Sequence, residues 1–306
     1  MNLGRTDELH INKRGRQDMK IAIATDTNSG ITQNMIREEG LYVLPMPVIV
    51  DEQIFMEGID IDSRQLYEAM KEHSDISTSQ PSPGSLMELW DTILRDGYEE
   101  IVYIPMSSGL SGSCESAIQF SADYEGKVHV VDNHRISVTQ KESVYSAYRL
   151  AQQGYSAKEI KAYLEERTYD ASIYITVDSL EYLKKGGRIT PAVAALATIL
   201  NLKPVLTIQG DKLDTYKKAR GMRQAQTSMI EAVIQDRRMR FADVPDSQLQ
   251  IETAGTFESQ KQARQWLSLV QEKFVDMEIT YSHLPCCIAC HVGMNAAGIA
   301  IMKKEV

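Results

Sequence analysis

The segment Lys20-Ile21-Ala22-Ile23-Ala24-Thr25-Asp26-Thr27-Asn28-Ser29-Gly30 decides the fold class of this chain. Its apolar run breaks abruptly into polar turn formers, as a buried strand does at its carboxyl end. Outward from it, Ile31 to Glu39 reads as a helix, Leu41 to Val50 as a second apolar strand, and Ser63 to Met70 as a helix with a start signal and apolar spacing. The alternation continues through a helix from Gly84 to Arg95, a strand from Glu100 to Pro105, a helix from Ser111 to Ala122 and a strand from Lys127 to Val131. Helices Val138 to Gln152 and Ala157 to Arg167 follow. This order predicts a mostly parallel sheet in a three-layer α/β/α domain, with ligands at the loops that follow the strands' carboxyl ends.

Beyond about Ser172 the texture changes. A strand from Ile173 to Val177 precedes the Gly186-Gly187 turn and the apolar stretch Pro191 to Leu202. Strands Lys203 to Ile208 and Lys212 to Lys217 flank Gln209-Gly210-Asp211, the pattern of a hairpin. The helix Ser259 to Asp276 carries Ala263, Trp266, Leu267, Val270 and Phe274 on one face, spaced for packing on a sheet. The expected organisation is an α/β domain over 19–170 and an α+β domain over 171–306. Residues 1–18 mix charges without an apolar block and read as a disordered extension rather than a secretory signal.

A chain of 306 residues, 43% hydrophobic and 25% charged, is long enough for two cores. Its formal charge of −9 gives no general electrostatic attraction to a nucleic-acid backbone. No stretch reaches the roughly 20 apolar residues that span a bilayer. Four cysteines, three of them at 286, 287 and 290, do not form a secreted disulfide framework, so a cytoplasmic, reducing compartment is expected.

Three polar loops stand out. Ser77-Thr78-Ser79-Gln80-Pro81-Ser82-Pro83-Gly84 places hydroxyls ahead of a helix whose first amides lack partners, which suits N-capping and also an anion. Pro105-Met106-Ser107-Ser108-Gly109-Leu110-Ser111-Gly112-Ser113 again joins strand to helix, with glycines that expose backbone N–H groups. It is neither a P-loop, nor a dinucleotide fingerprint, nor a nucleophile elbow. In Leu180 to Ile189, Lys184 and Lys185 counter a helix dipole and Gly186 caps it, while Arg188 is free to meet a carboxylate or a phosphate.

These motifs together resemble the DegV family, in which fall the fatty-acid-binding subunits of the bacterial fatty acid kinase. The resemblance spans about 20 to 300 in order: Ile-Ala-Thr-Asp-Thr at 23–27, Thr-Ser-Gln-Pro-Ser at 78–82, and Ser-Ser-Gly-Leu-Ser-Gly-Ser at 107–113. Val-Val-Asp-Asn at 130–133, Leu-Glu-Tyr-Leu-Lys-Lys-Gly-Gly-Arg-Ile at 180–189 and Leu-Asn-Leu-Lys-Pro-Val-Leu at 200–206 complete it. The resemblance implies a tunnel between two domains holding one long-chain fatty acid. It places the carboxylate against Thr78, against one or more of Ser107, Ser108 and Ser111, and against His291. Ser79, Gly109 and Arg188 become further head-group or phosphate contacts. A separate ATP-dependent kinase would phosphorylate the carboxylate, feeding phospholipid metabolism, with transient contact at a membrane surface; the chain itself would be a carrier without catalytic residues or cofactor. Where the family usually shows Gly-Thr-His-x-Gly-Pro-Gly, this chain has Ala289-Cys290-His291-Val292-Gly293-Met294-Asn295, which alters the head-group loop. The reading from a different class is a small-molecule kinase or hydrolase acting on its own. A purely regulatory interaction protein, the third, would carry no lipid.

Cys287-Ile288-Ala289-Cys290-His291 also matches a haem-attachment pattern, and Cys286, Cys287 and Cys290 with a histidine would suit zinc. The second zinc-ligand pair is missing, and buried small side chains explain the cysteines better. Elemental analysis and a visible spectrum of protein purified without chelator should therefore show neither stoichiometric zinc nor a Soret band.

Overall fold

The computed structural model describes residues 20–36, 38–199 and 201–304; the extension expected over 1–18 lies outside them. The first half runs β1 (Ile21–Asp26), β2 (Leu41–Leu44), β3 (Pro47–Val50), β4 (Gln53–Met56), α1 (Ser63–Lys71), β5 (Ile76–Thr78) and α2 (Pro83–Arg95). It continues through β6 (Glu100–Ile104), α3 (Ser113–Ser121), β7 (Val128–Val130), α4 (Val138–Gln152) and α5 (Ala157–Glu166). The second half runs β8 (Ala171–Thr176), α6 (Glu181–Gly186), α7 (Pro191–Ala194), β9 (Val205–Ile208), β10 (Asp214–Lys217) and α8 (Met222–Met239). It ends with β11 (Leu249–Gly255), α9 (Gln260–Gln271), β12 (Ile279–His283), α10 (Cys286–Val292) and β13 (Ala297–Lys303).

The opening segment is β1, and it sits inside a parallel sheet of order β2-β1-β6-β7. Alternation along β1 sends Ile23 to one face, where it meets Val144 and Leu150 of α4 and Ile160 and Leu164 of α5. Ala22 and Ala24 face the other way, among Trp90 and Ile93 of α2 and Ala117 of α3. Each fully buried aliphatic or aromatic side chain contributes on the order of 1.5–3 kcal/mol, so two covered faces make this a substantial core. The layered α/β/α expectation holds.

A six-stranded sheet, order β10-β9-β8-β13-β11-β12, organises the second half; it is antiparallel except between β11 and β12. One face packs on α8 and α9 through Met229, Val233, Trp266 and Val270. From the other face Ile175, Leu206, Ala300 and Met302 join Leu110, Ile136 and Val138 of the first half. The hairpin expected around 209–211 is present as β9 and β10.

Two expectations are corrected. The strand expected over Leu41 to Val50 is two strands, β2 in the parallel sheet and β3 in a separate antiparallel sheet of order β4-β3-β5. Pro45 and Pro47 lack the N–H groups a continuous ladder needs, so the chain leaves one sheet and enters another. The helix expected over Ile31 to Glu39 reduces, among its described residues, to a single 3-10 turn at Gln33–Met35. Asp26 caps the preceding turn through the Asn28 N–H, and Gly30 adopts a left-handed conformation that ends it.

An ion pair ties the halves together. Lys141 of α4 reaches Glu252 of β11, Nζ to Oε1 at 2.5 Å, and donates to Ser282 Oγ at 2.8 Å. The Glu252 carboxylate is almost wholly buried, so removing its cation strands a charge out of water. Lys141→Ala should lower the unfolding free energy by about 3 kcal/mol in urea titrations. A loss below about 1 kcal/mol would show that the pair is no more than a surface contact.

Candidate functional site

A cavity lies where the second sheet's inner face meets the loops of the first half. About 100 Å³ is open to the centres of water-sized atoms. A single buried water needs only about 10–15 Å³ on that measure, so the space suits a chain of atoms. Most of the wall is apolar, including Met46, Met106, Ile136, Ile173, Ile175, Leu183, Ile208, Leu213 and Ile288. Among the polar lining residues, Thr78 and His291 are hydrogen-bonded to each other with Arg188 nearby, Ser137 donates its N–H to Asn28, and Ser79, Gln80 and Ser111 complete the set.

The polar cluster follows from local structure. Thr78 ends β5, the edge of the small antiparallel sheet, and the loop after it leads into α2, whose N-cap Ser82 accepts the Ser85 N–H at 3.0 Å. His291 lies in the last turn of α10, and its Nε2 shares a 2.8 Å hydrogen bond with Thr78 Oγ1. The imidazole packs so closely on Gly186 that a Cβ there would collide with Nδ1. That nitrogen has no partner among the described residues. Burial, with the Arg188 charge nearby, pushes the His291 pKa down to about 4, so the ring is neutral at neutral pH.

Arg188 bridges the halves. Its Nε donates to Leu110 O at 3.3 Å, and Nη1 donates to Gly186 O. Ser111 lines the cavity, and its Oγ accepts the Ser113 N–H at 3.2 Å.

Ser107, Ser108 and Gly109, the other head-group candidates, stand away from the wall. The Ser107 hydroxyl is buried and committed to Gly210 O, and it accepts the Gly109 N–H at 3.2 Å. Ser108 donates its N–H to Asp132 Oδ1 at 3.3 Å. Any Cβ on Gly109 would collide with Gly210 O and Asp211. This stretch therefore forms a seam between the halves, because only a bare Cα lets the two backbones approach so closely.

Sequence reasoning missed Glu57. Buried beside the first turn of α10, its carboxylate accepts the Cys286 N–H, the Cys287 N–H at 3.4 Å and the Thr27 hydroxyl at 2.8 Å. Burial raises its pKa, and those donors pull it back. Its partners lie 229 and 230 positions downstream, so no local pattern could signal the contact. Cys286, Cys287 and Cys290 are free and buried, the first and third packing with Ile61, Leu66, Tyr67 and Met70. Among the described residues no group of three or more His, Cys, Asp or Glu is placed to hold a metal ion.

Comparison with known proteins places this architecture. The family model described as "Uncharacterised protein, DegV family" matches residues 20–304. A DegV domain-containing protein of Deinococcus radiodurans is 33% identical over 216 residues, which cover 70% of this chain and 76% of that protein. Another, from Caldanaerobacter subterraneus subsp. tengcongensis, is 28% identical over 291 residues, 93% of this chain and 99% of the relative. Among solved structures, a DegV family protein from Thermus thermophilus described by its fatty acid binding superposes with a TM-score of 0.81 at 26% identity, covering 93% of this chain and 100% of that one. DegV, a fatty acid binding protein from Bacillus subtilis, gives 0.80 at 27% identity, covering 94% and 100%.

The histidine supplies a test. Its folded pKa lies below the ordinary 6.5, so between about pH 4 and 6.5 the unfolded chain takes a proton that the folded chain refuses. The stability it allows is intact above pH 6.5 and falls as pH drops towards 4. Asp26, raised by burial to about 6, acts in the opposite sense, its share lost as pH rises through 6. NMR titration of the ligand-free protein should show one imidazole titrating near pH 4, absent in His291→Gln; a normal titration of that ring would contradict its burial.

Proposed function

The chain belongs to the DegV family, and we propose that it is a non-enzymatic carrier that holds one long-chain fatty acid and presents its carboxylate to a separate ATP-dependent kinase. The observation that carries this reading is the cavity itself, apolar along most of its wall, with a cluster of neutral hydroxyls, one imidazole and one guanidinium. Fatty-acid binding by the relatives from T. thermophilus and B. subtilis supports it. The domains in this reading are 19–170 and 171–306, which share the cavity between them.

The two parts of the wall suit the two ends of such a ligand. Each methylene moved out of water contributes about 0.8 kcal/mol, offset partly by lost freedom. The carboxylate tolerates desolvation only where hydrogen bonds replace its water. Thr78 and Ser111 are the proposed donors, with His291 orienting the Thr78 hydroxyl and Arg188 adding positive charge beside them. When Nε2–H of the neutral imidazole donates to Thr78 Oγ1, the Thr78 hydroxyl proton is free to point at the ligand. Ser107 and Gly109 act on the head group only by holding the seam, and Ser108 by its backbone.

No helix among the described residues is long and apolar enough to cross a membrane. A cytoplasmic carrier that touches a membrane surface transiently, and so feeds acyl phosphate into phospholipid metabolism, is the setting this reading implies.

Native mass spectrometry of the purified full chain should find one fatty acid per protein. Thr78→Ala and Ser111→Ala should each weaken the hold on the carboxylate by about 1.5–3 kcal/mol, tenfold or more, while tail contacts persist. Acyl-phosphate formation with the kinase should then fall further than lipid content. Parental levels of both in both variants would refute the head-group assignment.

A further inference from the structure

The cavity contains a second polar position that the head-group cluster does not use. Asn28 lines the wall and is only 2% exposed. The Cys287 thiol donates to its Oδ1 at 2.9 Å, which turns the NH2 end of the amide the other way. That Nδ2 lies close enough to Asp26 to help hold the carboxylate's pKa down, yet it makes no hydrogen bond of acceptable geometry. Asp26 already takes the N–H groups of Asn28 and Met106 and the amide of Gln140.

Ser137 stands directly beside it, donating its N–H to Asn28 O at 3.0 Å. It lines the same cavity, in a left-handed conformation with φ 57°, and its side chain makes no capping bond to the helix it precedes. That helix is α4, fifteen residues long, and the N–H groups of Val138 and Thr139 in its first turn have no acceptor among the described residues. Val138 also lines the cavity. A buried amide, a hydroxyl and the positive end of a helix thus meet at one stretch of the cavity wall, and the acceptor nearest the amide, the Asp26 carboxylate, is already taken by three other donors. An unsubstituted alkyl chain would leave these donors unpaired, which is costly in a dry site.

We propose that Asn28, Ser137 and the first turn of α4 form a subsite for an oxygen atom carried on the acyl chain, so that the preferred ligand is a hydroxylated or oxo fatty acid. This rests on the fatty-acid reading and narrows its substrate class. The location follows from α10: Cys287, bonded to Asn28, and His291, bonded to Thr78, are one helical turn apart, about 6 Å along the axis. The oxygen therefore belongs a few carbons from the carboxylate, not at the tail.

The test measures displacement of a fluorescent fatty acid from the full-length, lipid-stripped protein. The competitors are hexadecanoic acid, its isomers hydroxylated on each carbon from the second to the sixth, and the ω-hydroxy acid. At least one near-carboxylate isomer should bind about tenfold tighter than hexadecanoic acid, the gain expected of newly satisfied buried donors, and the ω-hydroxy acid should not. Asn28→Leu should bring the ratio of the two affinities close to one. Ser137→Gly, which keeps the backbone donors and relieves the left-handed conformation, should reduce it partially. If hexadecanoic acid binds and no isomer exceeds it, the subsite is wrong while the carrier reading stands. If Asn28→Leu weakens both acids equally, the amide only shapes the cavity and the subsite is again wrong. If no acid binds at all, the carrier reading falls and takes the subsite with it.

Discussion

One carboxylate taken out of water governs how the two halves meet. Glu57, just past the small antiparallel sheet, receives the first amides of α10 from the far end of the chain, together with the Thr27 hydroxyl from the loop after β1. An isolated buried anion would cost several kcal/mol, so the three donors must stay in place or the group must take a proton. The same helix then delivers Cys287 to Asn28 and His291 to Thr78 on successive turns. The geometry of the polar wall is in this sense a consequence of where a single acid is solvated.

Much of the fold was legible in the sequence because its signals are local. The run from Ile21 to Ala24 is apolar on both faces since helices cover both, and α4 occupies the expected residues, Val138 to Gln152. The break between β2 and β3 was present in Pro45 and Pro47, but hydrophobic continuity from Leu41 to Val50 concealed it. The topology of the second sheet was less accessible: β13, the last strand in sequence, inserts between β8 and β11, and no local pattern specifies such a neighbour.

The candidate site shows the same division. Thr78, Ser79, Ser111, Arg188 and His291 all line the cavity, since each ends an element or lies in a loop beside it. Ser107 and Ser108 share a loop with Ser111 yet point elsewhere, because that loop also packs on the Gly210 turn. Residue type identified the loop, and only the packing across the seam separates the serine that faces the cavity from those that join the halves.

That seam has a kinetic side. Gly109 lies against Gly210 and Asp211 with no room for even a methyl group, while Arg188 spans from Leu110 to Gly186. In the carrier reading, a guest held behind these contacts would be released by breaking them. On the same reading, the strength of that closure, more than the oiliness of the wall, would set how long a bound molecule stays.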